Sequence, residues 1–167
     1  MKKLELRMYG LVNYQLTGIQ MGIQYGHAVV RYGQMIKKCD DIIEVDKYNE
    51  WADNYQTFIV LNGGTTNTNL SQLGTLNKHL QTLKDNGVTC QDFYEPDLGD
   101  QLTSVVFIVD ERVFNYVDYP QFEPSTFASL SKSKYNKEYN GWMKKMGGEK
   151  NVFLRNFLRN FKFFISL

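Results

Sequence analysis

Four apolar runs alternate with longer segments of helical period, and glycine, proline or asparagine punctuates the boundaries between them. Residues 4–13 (LELRMYGLVN), 56–64 (QTFIVLNGG), 88–95 (VTCQDFYE) and 102–111 (LTSVVFIVDE) read as strands. Between them, a helix runs from its N-cap Thr17 to about Lys38, and a shorter one covers 40–54. Asn69 or Thr68 caps a third helix, which stops at Gly87. The order β-α-α-β-α-β-β predicts an α/β fold, with one mixed four-stranded sheet flanked by helices. A chain of 167 residues, 43% hydrophobic and 14% aromatic, can bury a real core. Residues 116–126 hold two of the three prolines and mark the end of the compact body. The expected division is therefore a domain over 1–118, then a linker and basic aromatic extension over 119–167.

Several function classes drop out at once. No apolar leader follows Met1-Lys2-Lys3, and no stretch approaches the roughly 18 apolar residues of a membrane span, so a cytoplasmic protein is expected. Cys39 and Cys90 lack metal-ligand spacing; they either pair as a disulfide or stay free, as a reducing cytoplasm favours. His27 and His79 stand far apart, which gives a Cys/His metal site little support, and no cofactor is called for. The net charge of +1 conceals an asymmetry. Residues 132–167 carry nine Lys/Arg against two acids (+7), and residues 1–131 carry ten against sixteen (−6). An acidic body precedes a basic tail.

The first helix contains GIQMGIQYGHAVVRYG (18–33), with Gly18, Gly22 and Gly26 at four-residue spacing. Each interior glycine costs a helix roughly 1 kcal/mol relative to alanine. On a helical wheel these glycines share a side with Ile19, Ile23, Val29 and Val30, while Gln20, Gln24, His27 and Arg31 form a stripe opposite. The expectation is that the glycine side is buried, letting the backbone lie close on the sheet, and that the polar stripe looks outward. That stripe is either an ordinary solvated face or a set of hydrogen-bonding groups over a cleft.

This segment resembles the signature helix of the type 2 peptidyl-tRNA hydrolases, approximately G-K-x-A-A-Q-x-x-H-A, with Gln24, His27 and Ala28 at the family's Gln, His and Ala. The resemblance continues in order through Trp51 before TFIVLNG, through LNKHLQTLKDNGV, and through EPDLGDQLTSVVFIV with Asp97, Gly99 and Thr103 at matching positions. It covers about residues 5–110. Divergent members with such C-terminal extensions look like phage-encoded proteins. The resemblance implies that family's fold and hydrolysis of the ester joining a peptide to the 3′ ribose of tRNA. Two departures stand out. Gln20 replaces the family's lysine four residues before the glutamine, and the loop from 97 to 103 is shorter, without a counterpart to the first threonine. A catalytically impaired tRNA- or protein-binding module on the same fold is the alternative.

Ester hydrolysis needs an oriented, deprotonated water and a stabilised oxyanion. By the resemblance, His27 and Asp97 would handle protons, and Gln20, Gln24 and Thr103 would position water or donate to the oxyanion. Asp97 could equally cap its own turn in EPDLGD. NGGTTNTN (62–69) lacks the lysine of a phosphate loop and reads better as a strand-to-helix connection. In the tail, Phe153, Leu154, Phe157, Leu158, Phe161, Phe164 and Ile165 fall on one side of a wheel, with Arg155, Arg159 and Lys162 opposite. Such a basic amphipathic helix suits RNA phosphates, a membrane surface, a homodimer or protein partner, or docking on its own acidic body. For a tRNA partner, Arg31, Lys144, Lys145, Lys150, Arg155 and Arg159 are the expected phosphate contacts.

Overall fold

The computed structural model describes residues 3–126 and 131–161. The chain divides into two compact units, one centred on Glu5–Val109 and one on Asp110–Asn160.

The first unit is α/β. Its strands β1 (Leu6–Asn13), β2 (Thr57–Gly64), β3 (Cys90–Glu95) and β4 (Gln101–Asp110) form one sheet in the order β2-β1-β4-β3. The sheet is mixed: β1 pairs with β2 in parallel, and β3 with β4 antiparallel. The two central strands are buried almost throughout, which is why their sequences are nearly continuous apolar runs. β3 and β2 are the edges.

Helices α1 (Gly18–Ile36), α2 (Ile42–Glu50) and α3 (Thr75–Asp85) complete this unit, and α2 runs on into one π-helical turn, Trp51–Tyr55. Thr17 caps α1 as expected, through a reciprocal capping box with Gln20. The core between α1, α2 and the sheet gathers Met8, Val12, Tyr25, Ala28, Tyr32, Ile36, Trp51, Phe93, Val106 and Ile108. Alternate strand residues face the other way, where Tyr9 stacks on Phe107. α3 begins later than the sequence suggests. Asn69 caps only the short 3-10 turn Leu70–Gln72, and the helix starts after Gly74. The 65–67 loop lies so close to Gly74 that a β-carbon there would stand 2.5 Å from the Asn67 nitrogen and the Thr65 oxygen. Thr75 and Asn77 take up the loop's N–H groups at Thr65 and Asn67, so residues 62–69 form a self-tied strand-to-helix connection. Gly87, at φ +65°, ends the helix as expected.

The second unit holds α4 (Glu111–Phe114), α5 (Lys132–Lys145) and α6 (Glu149–Leu158). Residues 119–126 lie along α5: Phe122 packs on Tyr135, Tyr139 and Trp142, and Glu138 accepts from the N–H and hydroxyl of Ser125. Gly147 and Gly148, at φ +92° and +101°, close α5 with two backbone hydrogen bonds to Lys144 and Met143. No helix among the described residues is long and apolar enough to cross a membrane.

Candidate functional site

The wheel reading of α1 is overturned on its glycine side, whereas of the polar stripe Gln20, His27 and Arg31 are exposed as expected and only Gln24 is buried. Gly18, Gly22 and Gly26 face open space, with no atom within 4 Å of a β-carbon placed on any of them. Ile19 and Val30 beside them are 80% and 62% exposed. The buried side is Gln24, Tyr25, Ala28, Tyr32, Gly33 and Ile36. It was hidden because its repeat begins with an amide and contains two phenols, groups that hydropathy scores as surface. They are tolerated inside because most of their polar atoms are partnered: the Tyr25 hydroxyl donates to the Met8 carbonyl at 2.8 Å. Burial raises the Tyr25 pKa, so that hydroxyl stays a donor. The glycines that do serve packing lie elsewhere. A β-carbon at Gly10 would overlap the Tyr25 ring, and one at Gly33 would come within 2.6 Å of the Tyr48 hydroxyl.

Inward burial gives Gln24 its role. Thr103 donates to the Gln24 Oε1 at 2.7 Å, and the Gln24 Nε2 donates to the Glu95 carboxylate at 2.5 Å. Ser104 donates to the Gln24 carbonyl at 2.7 Å, which ties the helix backbone to β4. The Glu95 carboxylate, which can only accept, fixes the amide with its NH₂ towards Glu95 and its oxygen towards the Thr103 hydroxyl. His27 rests on the Phe93 ring, centroids 4.6 Å apart, and its Nδ1 lies 3.9 Å from Glu95 Oε2. Asp97 sits in the turn Pro96–Leu98 after β3, where its N–H points at the other Glu95 oxygen at 3.4 Å.

These groups open on a cleft of about 180 Å³ lined by Leu16, Gln20, Gln24, Glu95, Asp97 and Leu98. Of the residues expected there, Gln20, Gln24 and Asp97 line it, and His27 stands next to it through Glu95. Thr103 does not reach it. It is 1% exposed and its hydroxyl is directed at Gln24 and the Phe93 carbonyl, so it orients the glutamine and meets neither water nor oxyanion. The Gln20 carboxamide oxygen is taken by the helix cap, accepting from the Thr17 N–H and hydroxyl at 3.0 Å each, which leaves its NH₂ end for the cleft. Glu95 is the group that sequence reasoning missed. It ends a strand directly before Pro96, where a glutamate reads as a turn residue, and only its place opposite Gln24 reveals it.

The expected phosphate contacts divide in the same manner. Arg31 is exposed, its guanidinium 4.6 Å over the Phe93 ring. Lys144, Lys145, Lys150 and Arg159 are exposed on the second unit. Arg155 is not available: it is fully buried, donating to the carbonyls of Arg112 and Tyr119 and to the Gln121 side chain. It belongs to the buried side of α6 with Val152, Leu154 and Phe157, not opposite to it. Lys162, Phe164 and Ile165 lie outside the described residues.

Cys39 and Cys90 are both free, and burial pushes the Cys90 thiol up to about 11. Among the described residues no three His, Cys, Asp or Glu side chains are grouped to hold a metal. A larger hollow of about 490 Å³, lined by Tyr25, Gly26, Val29, Val30, Phe58 and Val60, is almost wholly apolar and carries no charged residue.

No protein-family model matches the chain, and no curated protein matches it.

Proposed function

We propose that this chain is a cytoplasmic peptidyl-tRNA hydrolase, a divergent type 2 member, that cleaves the ester between a peptide and the 3′ ribose of tRNA. One observation carries the reading: the relay from Thr103 through Gln24 to Glu95, with His27 beside it, ends at an open cleft that also holds Asp97. In this reading His27, its Nδ1 turned to Glu95, takes a proton from water through the other ring nitrogen. The Glu95 carboxylate stabilises the imidazolium that forms. The water oxygen bonds to the ester carbonyl carbon, and the Gln20 NH₂ donates to the oxyanion. As the carbon–oxygen bond to the ribose breaks, the proton passes from His27 to the leaving 3′ oxygen. The products are a free peptide acid and tRNA, with no cofactor consumed.

The test is release of the acyl group from N-acetylated aminoacyl-tRNA by the purified chain. His27→Ala and Glu95→Gln should each lower the rate by roughly 10²–10⁴. No release above background by the parent overturns the hydrolase reading. A specific feature favours the second reading, a tRNA- or protein-binding module: no cation lines the cleft, and Gln20 stands at the family lysine's position. Binding of the acylated tRNA without cleavage would select it.

A further inference from the structure

α1 and β3 run alongside one another, and the residues of β3 that face α1 alternate in the order Glu95, Phe93, Gln91. Each meets a different part of the helix. Glu95 meets Gln24, Phe93 carries His27 and Arg31, and Gln91 lines a separate pocket with Arg31, Gln34, Met35 and Lys38. That pocket measures about 230 Å³, room for a phosphate group and part of its sugar. Its walls bring two cations and two amides, and no carboxylate. Asp92, the nearest acid along β3, is not in the lining: Lys84 holds one of its oxygens at 3.0 Å, and the other accepts from the Gln91 NH₂ at 3.2 Å, which leaves the Gln91 side-chain carbonyl oxygen and the two cations to face the pocket. Lys38 has no ion pair among the described residues, and the Phe93 ring fixes the guanidinium of Arg31 from below. Two unneutralised cations converge here on a body whose first 131 residues carry a net charge of −6.

The groove is thus polarised: carboxylates at the Glu95 end, cations at the Gln91 end, about 13 Å apart along the strand. Because β3 is an edge strand, the groove is open on its outer side. We propose that the Arg31–Lys38 pocket is an anion subsite that takes a backbone phosphate of single-stranded RNA, placing the strand's 3′ end at the Glu95–His27 cleft. The inference rests on the peptidyl-tRNA reading for the identity of the strand. Arg31 grips the phosphate as a fork and Lys38 as a point charge. The acidic end repels phosphate, so only one polarity of the strand is admitted.

The probe is a fluorescein-labelled RNA hexanucleotide ending in CCA, followed by anisotropy from 50 to 300 mM NaCl. The parent should bind it. Arg31→Gln/Lys38→Gln should weaken binding at least tenfold and reduce the salt slope by about 1.4, two single-strand contacts' worth. Lys38→Gln alone, at a side chain with no ion pair, should remove about half of that slope change without touching the core. No binding by the parent, or equal affinity and slope in parent and double variant, overturns the subsite. Acyl-tRNA cleavage by the parent is scored separately. Cleavage with an unchanged KM in the double variant overturns the subsite and leaves the hydrolase; strand binding without cleavage keeps the subsite and removes the hydrolase.

Discussion

On one side of α1, Gln24, Tyr25, Ala28, Tyr32 and Ile36 are shut away from water, and on the other Ile19, Ile23 and Val30 stand in it beside three bare glycines. The inner side contains an amide and two phenols, and the glycine side two isoleucines and a valine. At Gln24 and Tyr25 burial follows partnership, whereas Tyr32 is buried by packing with no hydrogen-bond partner for its hydroxyl among the described residues. Gln24 goes inside because Thr103 and Glu95 complete its amide, and Tyr25 because Met8 accepts its proton. The outer isoleucines and valine stay in solvent because nothing among the described residues is shaped to cover them. The cost of the glycines is accordingly not recovered by any contact they make within the described residues.

The contrast can be broken most severely at its inner side. Tyr32 is fully buried, so Tyr32→Ala should cost about 3–5 kcal/mol through the cavity it leaves, read as a fall in chemical-denaturation midpoint. An unchanged midpoint would show that this side is not the packed one. Gly10→Ala comes next. Its methyl would overlap the Tyr25 ring, and the overpacking should cost about 1–3 kcal/mol in the same measurement.

Gln24→Leu keeps volume but leaves the Thr103 hydroxyl only the Phe93 carbonyl and removes the donor to Glu95, and should cost about 1–3 kcal/mol. It should also lower acyl-tRNA release together with its dependence on Glu95. If Gln24→Leu and Gln24→Leu/Glu95→Gln lose activity in independent, multiplying steps, the relay is not a unit.

The smallest effect has the opposite sign. Gly22→Ala adds a methyl to open space and removes the backbone entropy of glycine, so it should stabilise by about 1 kcal/mol. A thermal melt lower than the parent's would mean that the outer side is covered after all. The pair Gly10→Ala and Gly22→Ala therefore sorts the glycines by function, since the same chemical change separates close packing from mere exposure.

The acid–base contrast in the second unit is a milder probe of the same principle. Burial alone would raise the Asp110 pKa, but hydrogen bonds from Arg112 and Asn151 outweigh it and hold the carboxylate below its ordinary value. That stabilisation is complete above the unfolded pKa and fades as pH falls through the folded one. Asn151→Ala should flatten this acid limb, measured as the difference in stability between neutral and acid pH.

Most of the architecture was legible along the chain. Strand positions, the Thr17 cap, the Gly87 stop and the mixed four-stranded α/β sheet are local or periodic properties, and propensity, capping and alternation act over a few residues at a time. Gln24, His27 and Asp97 were picked out by their spacing and by resemblance. What stayed hidden had a long-range cause. Glu95 looked like a turn residue because its partner is 71 positions away, and Thr103 looked like a solvent-facing donor because its partner is 79 positions away. Arg155 looked like a phosphate ligand because its carbonyl acceptors lie 36 and 43 residues back. A wheel knows only the helix it is drawn on, so it puts every polar group outside. The amino-acid order by itself determined which segments become helix and strand, because those free energies are summed from neighbours. Which side of each helix turned inward, and which polar groups entered the core, was decided only by the tertiary structure, because a buried amide or guanidinium is stable solely where distant atoms supply its hydrogen bonds.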